Sequence, residues 1–439
     1  MPIIYLDNFR GFKNTFLPLR NINFFVGENS TGKTSILRLI RLMSSPKFWF
    51  ELKFDVVDSE LGFYSEVVSK SAKDPSYFEV GIVGDLIDKN DRVSAIRLKF
   101  IDSKGLPKVS EIRMIEHGFD IHVKIQKNML SIGYRELPME NIIDSNKLKY
   151  FKFWLDQSQN LDYKYDKIEL PDSETSFPII FIIKSFISDN LVSDKVRDNY
   201  KFQGLRLPFF LNDLAWLAPI RAEPHRTYDK HMLSFSPDGK HAPYILKELL
   251  SESSKKKKLT EKILNNFGED SGLFKKIKTT SLKNDDTAPF EIHVYLDDKP
   301  IKISNVGYGV SQVLPLILEI IKRDKETWFA IQQPEIHLHP KSQAAFGDFI
   351  LKSYLTEKKN FIIETHSDFT IDRFRLKVKQ EFAKKRKERN IFQVVFFERV
   401  KGENKLCTIN INNNGSYSSS QPASFKEFFI KEQLELLDL

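Results

Sequence analysis

Residues 27–34 read GENSTGKT, a segment in which two glycines enclose four residues and precede Lys33 and Thr34. The apolar run INFFV (residues 22–26) comes before it, and SILRLIRLM (residues 35–43) follows it with apolar residues at helical spacing. Strand, glycine-containing loop and helix is the order in which such a segment forms a phosphate-binding P-loop. The sequence therefore predicts a P-loop nucleotide-binding fold, the alternative being a fortuitous turn.

The predicted P-loop assigns ligand contacts to its own residues. Backbone N–H groups of the loop surround a phosphate, and the positive N-terminus of the following helix points at the anion. Lys33 reaches the β- and γ-phosphates in this arrangement, and the Thr34 hydroxyl is a Mg²⁺ ligand. We therefore expect ATP and Mg²⁺ as cofactors. The predicted nucleotide-binding residues of the segment are Gly27, Glu28, Asn29, Ser30, Thr31, Gly32, Lys33, Thr34 and Ser35.

Composition limits the class of protein. The 439 residues allow two or three domains, and a hydrophobic fraction of 41% is enough for a large core. A single cysteine, Cys407, excludes internal disulfides and thiolate metal clusters and suits a reducing cytoplasm. The N-terminus has no signal-peptide pattern, and no apolar stretch reaches the roughly 18 residues of a membrane span. We expect a cytoplasmic protein without membrane contact.

The net charge of +8 permits nucleic-acid contact but is equally typical of a protein with solvated lysines. Two basic runs are more specific: Lys255–Lys258 and Lys384–Arg389. The second continues a helical pattern, so a solvated helix face and a DNA-binding surface both remain open.

Three segments in the second half of the chain carry further motifs. SNVGYGVSQVLPL (residues 304–316) is a glycine-containing loop that leads into a helix, and TWFAIQQPEIHLHP (residues 327–340) is a strand that ends in a polar cluster. NFIIETHSD (residues 360–368) is a strand that ends at a histidine. The order P-loop, signature loop, Walker-B strand and switch histidine resembles that of the ATP-binding-cassette (ABC) ATPases.

A set of five motifs narrows this resemblance. The motifs are DNFRGFKN (7–14), LAPIRAEPHRTY (217–228), GYGVSQVLPL (307–316), PEIHLHPKSQAAFGDF (334–349) and ETHSDFTIDRFR (364–375). Together they resemble the OLD and PtuA group of ABC-type ATPases, which are bacterial proteins linked to anti-phage defence and distantly related to RecF and SMC heads. The chain ends too soon after the last motif for a Toprim nuclease domain. It therefore resembles the stand-alone PtuA subunits of Septu and retron-linked systems, which act with a separate nuclease.

The resemblance implies an α/β fold: an ABC-ATPase head, with a mixed sheet flanked by helices, an antiparallel β-subdomain and a helical lobe. A run of short β-rich segments at residues 77–126 predicts the antiparallel meander of that subdomain. We expect the N-terminal half of the head, with P-loop and β-subdomain, at residues 1–130. A helical lobe with the LAPIR loop is expected at residues 131–285, and the C-terminal half of the head at residues 286–439.

The resemblance also implies roles at the later motifs. Two heads sandwich ATP, and the signature loop of one subunit contacts the γ-phosphate held by the other, which makes Gly309 and Ser311 candidate nucleotide contacts. The alternative is a helix-capping loop, with Ser304 or Asn305 as the cap. His366 is the expected γ-phosphate-sensing histidine.

The strand end of the third motif departs from the ABC pattern. Gln332 and Gln333 occupy the positions of the Mg²⁺-binding acid and the catalytic glutamate. An amide orients a water but cannot take its proton, and it is a weaker Mg²⁺ partner than a carboxylate. Glu335 is the expected substitute base, because two residues on it would share the strand face of Gln333. Gln332 stays a candidate Mg²⁺ contact.

Other candidates at this end of the chain remain open. Glu364 and Asp368 are weaker candidate bases, and Arg221 and Arg226 are candidates for phosphate, a partner subunit or a surface salt bridge. His337 and His339 would share one side of a strand, where packing or an interface is favoured over a metal site. The end of the chain, ASFKEFFIKEQLELLDL (423–439), has apolar residues at helical spacing, among them Phe425, Phe428, Phe429, Leu434, Leu436 and Leu437. It either packs on its own domain or docks a partner.

These observations predict an ATP-binding subunit of an anti-phage defence system that forms a homo-oligomer and regulates a partner nuclease, expected to be of HNH type. Hydrolysis is expected to be weak or absent. The alternative is a DNA-repair ATPase of RecF or SMC type that acts directly on DNA.

Overall fold

The computed structural model describes most of the chain, in two compact units. It covers residues 2–54, 61–84, 94–116, 119–137, 147–156, 163–170, 179–190, 211, 214–229, 234–251, 254–283, 288–382, 391–419, 421–425 and 427. Unit 1 comprises residues 1–20, 28–212 and 397–406, and unit 2 comprises residues 21–27, 213–396 and 407–439. The three-part division expected from the sequence stays a prediction.

The strands alternate with helices along most of the chain. The strands are β1 (Ile3–Asp7), β2 (Thr15–Pro18), β3 (Ile22–Gly27), β4 (Tyr77–Gly84), β5 (Ser94–Ser103), β6 (Leu106–Glu116), β7 (Phe119–Gln126), β8 (Met129–Glu136), β9 (Lys164–Glu169), β10 (Leu214–Leu217), β11 (Lys276–Ser281), β12 (Phe290–Tyr295), β13 (Pro300–Lys302), β14 (Trp328–Gln332), β15 (Asn360–Glu364), β16 (Phe392–Val400) and β17 (Glu403–Ile411). The helices are α1 (Lys33–Met43), α2 (Pro46–Glu51), α3 (Tyr64–Val67), α4 (Lys147–Asp156), α5 (Ile179–Asn190), α6 (Ala242–Ser251), α7 (Ser254–Ser271), α8 (Tyr308–Lys322), α9 (Pro340–Glu357) and α10 (Asp368–Phe382).

Unit 1 is built on an antiparallel sheet of eight strands in the order β2-β1-β4-β5-β6-β7-β8-β9. The strands β4 to β7 are the meander that the sequence predicts at residues 77–126, extended by four further strands. Apolar side chains of one sheet end pack on α4 through Phe151, Trp154 and Leu155. The antiparallel β-subdomain is therefore confirmed.

A buried ionic cluster fixes the same helix to the sheet. Asp120 of β7 is fully buried and accepts hydrogen bonds from Arg113 Nε at 3.0 Å and Nη2 at 2.9 Å. The Trp154 indole N–H and the Tyr163 hydroxyl also donate to it, both at 2.9 Å. Although burial alone would raise it, the pKa of Asp120 is held below its usual range by the hydrogen bonds and charge of Arg113. Every oxygen of the carboxylate is bound, which makes this buried charge tolerable.

Unit 2 contains the sheet that positions the candidate site. Its order is β10-β14-β15-β3-β16-β17, and the pairs β10/β14, β14/β15 and β15/β3 are parallel. Strand β3 is buried along its whole length, which explains why its sequence is continuously apolar rather than alternating. A second, antiparallel sheet, β11-β12-β13, contains a hairpin in which β12 and β13 are joined around Asp297 and Asp298.

Helices cover the unit-2 core. Apolar side chains of α6, α8, α9 and α10 pack into one cluster with β3, β14 and β15. Phe425 is also buried there, with ring contacts to Phe396 and Tyr417 at 5.4 and 5.3 Å between centroids. The basic run Lys384–Arg389 lies outside the described residues, as do the later apolar residues of the chain end. In the parts that the structure describes, no helix is both long and apolar enough to cross a membrane.

Candidate nucleotide site

The P-loop has the backbone that its glycines predict. Strand β3 ends at Gly27 with φ 134°, and helix α1 follows Gly32, which has φ 97°. Both values favour glycine. A Cβ on Gly32 would lie 2.5 Å from the Phe12 ring, closer than any side chain tolerates. Residues of GENSTGKT therefore form the turn between strand and helix that the motif predicts.

The side chains of the loop bind back onto the loop itself. Lys33 is 4% exposed, and its Nζ donates to the Glu28 carbonyl at 2.6 Å, as does the Thr31 hydroxyl at 2.8 Å. Glu28, Asn29 and Ser30 are exposed, and Thr34 is half-buried. The buried ammonium of Lys33 therefore lies against the loop, where it can exchange a carbonyl for a phosphate oxygen.

The start of α1 suits an anion. Its N-cap is Gly32, which has no side chain that could cap the N–H groups, and its first turn contains no acidic residue. The N–H groups of a first helical turn have no intrahelical partner, and the helix dipole is positive there. Ser35 differs from its neighbours because it is buried and accepts a hydrogen bond from Arg10 Nη1 at 3.0 Å. The loop fits a nucleotide phosphate, and Ser35 also braces it through Arg10 of the DNFRGF motif.

The ends of β14 and β15 bring an amide and a carboxylate together. The two strands are parallel with Gln332 opposite Glu364, and both side chains are buried, at 7% and 5% exposure. Gln332 Nε2 donates to Glu364 Oε2 at 3.0 Å. Because β3 is parallel to β15 on its other side, its end at Gly27 lies at the same edge of the sheet. Glu364, a weaker candidate base from the sequence, is thus an acid at this sheet edge, and its role stays a prediction.

The chain turns directly after Gln332, and the expectation that Glu335 shares a strand face with Gln333 is wrong. Gln333 has φ 43°, its N–H donates to the Glu364 carbonyl at 2.8 Å, and Pro334 opens a turn. Period-two alternation ends where the strand ends. Glu335 nevertheless reaches β15: its carboxylate accepts the Thr365 hydroxyl at 2.8 Å and the His366 backbone N–H at 2.7 Å.

His366 lies directly after β15, as the sequence predicts. His366 is exposed, and its backbone N–H donates to the Glu335 carboxylate. Its sensing role stays a prediction. Asp368 begins α10, and burial together with the charge of Asp372 raises its pKa to about 6.

Gly309 and Ser311 lie in the first turn of α8 rather than in a loop. The N-cap is Gly307, so the alternative in which Ser304 or Asn305 caps the helix is wrong. These two residues belong to a short 3₁₀ turn, Ile303–Asn305. Ser311 is buried, and its hydroxyl donates to the Tyr308 carbonyl at 2.8 Å. The most exposed position of this turn is Tyr308.

The strand reading of His337 and His339 is also wrong. His337 is exposed in the turn after β14 and has φ 61°. His339 is the N-cap of α9, and its Nδ1 accepts a hydrogen bond from the Lys341 N–H at 3.3 Å. The carbonyl of His337 lies 3.2 Å from a Cβ built on Gly309, so this turn packs on α8. Within the described residues, no three His, Cys, Asp or Glu side chains are grouped as metal ligands.

Arg221, in the loop after β10, is a buried cation at the same sheet edge. It is 4% exposed, and its Nη2 donates to the Gln332 carbonyl at 3.2 Å. Burial lowers its pKa to about 10, against the opposing effect of the Glu335 charge. Arg226 of the same loop is exposed.

Comparison with known proteins assigns the family. The sequence profile of the AAA ATPase domain (AAA_15) matches residues 1–208 and 224–371, which is more than half of the chain. The chain belongs to the AAA ATPase domain family. Such a P-loop ATPase domain implies nucleotide binding, typically with Mg²⁺. No match was found among proteins with curated descriptions.

Solved structures similar to this AAA ATPase domain include three SMC heads. One is an SMC head bound to the C-winged helix domain of ScpA, with 13% identity, a TM-score of 0.43, and coverage of 93% of this chain and 97% of that one. A Pyrococcus furiosus SMC head with an extended coiled coil, bound to the C-terminal domain of ScpA, has 11% identity, a TM-score of 0.44 and coverage of 100% and 99%. The SMC head domain from Thermotoga maritima has 12% identity, a TM-score of 0.39 and coverage of 93% and 98%.

Three candidate residues of this AAA ATPase domain protein carry side-chain oxygens that could bind Mg²⁺. Mg²⁺ prefers hard oxygen ligands and keeps several waters. Thr34 offers a hydroxyl, Gln332 an amide oxygen, and Glu364 the carboxylate that the Gln332 N–H₂ already binds. Each of these oxygens is of a kind that Mg²⁺ accepts. Position 333 carries an amide in place of a proton-accepting carboxylate.

Proposed function

We propose that this AAA ATPase domain protein binds ATP with Mg²⁺ and hydrolyses it slowly or not at all. In the cytoplasm of a bacterium it would act as the ATP-binding sensor and scaffold of an anti-phage defence system that regulates a partner nuclease. The observation that carries the nucleotide part is the combination of an intact P-loop with an amide–carboxylate pair, Gln332–Glu364, at the strand ends. The support for the defence part is the motif set shared with the OLD and PtuA group.

The chemistry of the strand end supports slow turnover. Hydrolysis of ATP needs a group that orients the attacking water and accepts its proton. Gln333 has a neutral amide, which cannot accept a proton near pH 7. Both oxygens of Glu335 already accept hydrogen bonds, from the Thr365 hydroxyl and the His366 backbone N–H, which follow β15. To take a proton from water, this carboxylate would have to give up or share its hydrogen bonds with Thr365 and His366.

The first turn of α8 supports the proposed self-association. In a two-fold pairing of heads, Gly309 and the exposed Tyr308 of one copy would approach the ATP of the other, and one symmetry axis would complete two sites. The Ser311 hydroxyl, bound to Tyr308, would position this turn. A homo-oligomer, with the heads as an ATP-dependent interface, is therefore part of the proposal.

The partner is proposed as an HNH-type nuclease of a Septu or retron-linked system, because the motif set resembles ATPase subunits that act with a separate nuclease. DNA contact is proposed through the net charge of +8. The burial of Phe425 against Phe396 shows that the beginning of the chain end packs on its own unit. The docking role proposed for the chain end therefore falls on residues after it.

Calorimetry with ATP and Mg²⁺ tests nucleotide binding. Lys33→Ala should abolish binding, because it removes the buried ammonium of the P-loop. Lys47→Ala should bind as wild type does, because Lys47 is exposed on the next helix. Equal affinity of the Lys33→Ala and wild-type proteins for ATP would defeat the proposal.

Turnover and assembly test the remaining parts. We expect phosphate release well below the roughly 1 s⁻¹ of ordinary enzymes, and larger particles in light scattering with ATP and Mg²⁺ than without. The purified chain should not cut plasmid DNA, whereas addition of the proposed HNH-type partner nuclease should produce cutting. DNA-stimulated turnover at enzymatic rates by the chain alone would instead favour the DNA-repair ATPase.

A further inference from the structure

We propose that Arg221 distinguishes ATP from ADP: its buried guanidinium binds the terminal phosphate of ATP through Nε and Nη1. The proposal rests on the proposed function, since it takes ATP as the ligand. It adds a nucleotide contact outside the P-loop, on a loop of unit 2 more than a hundred residues before the Walker-B strand.

The first observation is that the guanidinium is buried and incompletely bonded. Arg221 is 4% exposed, and its Nη2 donates to the Gln332 carbonyl. Among the described residues, neither Nε nor Nη1 has a hydrogen-bond partner. A buried charged donor without a partner is costly, and native proteins keep such groups mainly where a ligand, ion or water completes them.

The second observation is where the guanidinium lies. Strand β10 pairs in parallel with β14, with Leu217 opposite Ile331, so the loop after β10 leaves the sheet at the edge where Gln332 ends β14. Gly27, the first residue of the P-loop motif, ends β3 at this same edge. The free donors therefore belong to the sheet edge at which the P-loop motif begins.

A protein carboxylate does not take the place of the missing anion. Glu335 is near enough for its charge to act on Arg221, yet its two oxygens accept the Thr365 hydroxyl and the His366 N–H. Glu364 accepts the amide of Gln332. Among the described residues, no carboxylate forms an ion pair with Arg221 within 4.0 Å.

The chemistry of the free donors selects the ligand. An arginine fork with two adjacent N–H groups matches two oxygens of a phosphate or carboxylate, and the charge-assisted pair is strongest when water is excluded. The terminal phosphate is the part of ATP that ADP lacks. A guanidinium that binds it contributes to ATP affinity and leaves ADP affinity unchanged, which is the property a nucleotide sensor needs without turnover.

The experiment compares ATP and ADP affinities of the full chain by calorimetry, in wild type, Arg221→Gln and Arg226→Gln. Losing charge-assisted hydrogen bonds should weaken ATP binding by roughly tenfold to a hundredfold in Arg221→Gln. ADP affinity should stay within about threefold, inside the context dependence of a single interaction. Arg226→Gln, an exposed arginine of the same loop, should keep both wild-type affinities.

Thermal unfolding without nucleotide separates a ligand role from a structural one. Arg221→Met should melt no lower than wild type, because it removes a buried cation that lacks an anion, and it should lose the extra stabilisation by ATP over ADP. An unchanged ratio of ATP to ADP affinity in Arg221→Gln, or unfolding of both variants, would overturn the proposal. If wild type binds neither nucleotide, the proposed function fails as well; if it binds both and only the ratio test fails, the proposed function stands.

Discussion

Introducing an acid at the end of β14 should lower the free energy of unfolding in a pH-dependent way. Gln332→Glu exchanges an amide N–H₂ for an oxygen at nearly constant shape. In the wild type, Nε2 lies 3.0 Å from Glu364 Oε2, and both side chains are more than nine-tenths buried. The exchange therefore replaces a hydrogen bond with two carboxylate oxygens in contact, at a position where solvent does not screen them.

The size of the effect follows from this distance. Two unit charges about 3 Å apart repel by about 5 kcal/mol at an effective dielectric constant of about 20, and this is the upper limit. The lower limit is the lost hydrogen bond to a charged group, about 1.5 to 3 kcal/mol. The protein lowers the repulsion by binding a proton, so the pKa of the introduced carboxyl rises on folding. We expect a loss of about 2 to 5 kcal/mol at pH 8.

The sign of the pH dependence is fixed by this raised pKa. Below the pKa of an unfolded glutamate, the carboxyl is protonated in both states, and the charge repulsion contributes nothing. As the pH rises towards the folded-state pKa, the unfolded chain loses the proton first, and stability falls. The loss is complete above the folded-state pKa. The variant should therefore be close to wild type at pH 4.5 and clearly weaker at pH 8.

Urea unfolding at these two pH values, followed by fluorescence, measures the difference. Millimolar Mg²⁺ at pH 8 should recover part of the loss, because paired carboxylates bind a hard cation. Gln126→Glu, at an exposed position of β7, should show neither effect. Equal destabilisation of Gln332→Glu at both pH values, or none at pH 8 without Mg²⁺, would refute the reasoning, because the two side chains would then not face each other.

Two further predictions concern unit 1. Gly32→Ala should lower the free energy of unfolding by at least about 2 kcal/mol and abolish ATP binding, because the added methyl would meet an aromatic ring at a positive φ. Gly105→Ala is the control. Because Gly105 has φ 84° but open space around it, this variant should lose only about 1 kcal/mol in the same urea assay. Asp120→Asn should cost about 3 to 5 kcal/mol at pH 7, since it leaves Arg113 buried without an anion, and this loss should shrink as the pH falls through the depressed pKa of Asp120. Glu291→Gln, at a partly exposed pair, should unfold much as wild type does, because solvent screens such a pair. A loss as large as that of Asp120→Asn would contradict the burial argument.

The sequence predicts the P-loop well because its information is local. Eight consecutive residues determine the turn, and the apolar strand before it and the helix after it give the context. The meander of unit 1 is predicted for the same reason, because its neighbouring strands are joined by short turns. Alternation and turn residues are sufficient for such elements.

The strand-end contacts are not predictable in this way. Gln332 and Glu364 are 32 residues apart, and Arg221 and Gln332 are 111 apart. Each pairing depends on the register of parallel strands, which the sequence does not state. The prediction that Glu335 shares a strand face with Gln333 was wrong for a local reason, because the chain leaves the strand at Gln333 with a positive φ. A glutamine that precedes a proline does not predict this turn, because the left-handed conformation is uncommon for glutamine.

The two polar groups at this sheet edge differ in what they need from a ligand. Gln332 and Glu364 satisfy each other, so the strand ends are stable without a cation, whereas a pair of acids there would need one. Arg221 is the opposite case, because two of its donors have no partner among the described residues. In the proposed site, the group that needs a ligand is therefore the Arg221 cation, which would bind a phosphate, rather than a pair of acids that would bind a cation. Under the proposed function, this edge would respond to whether ATP is present. With an amide at position 333 and slow turnover, the nucleotide state would persist until ATP dissociates.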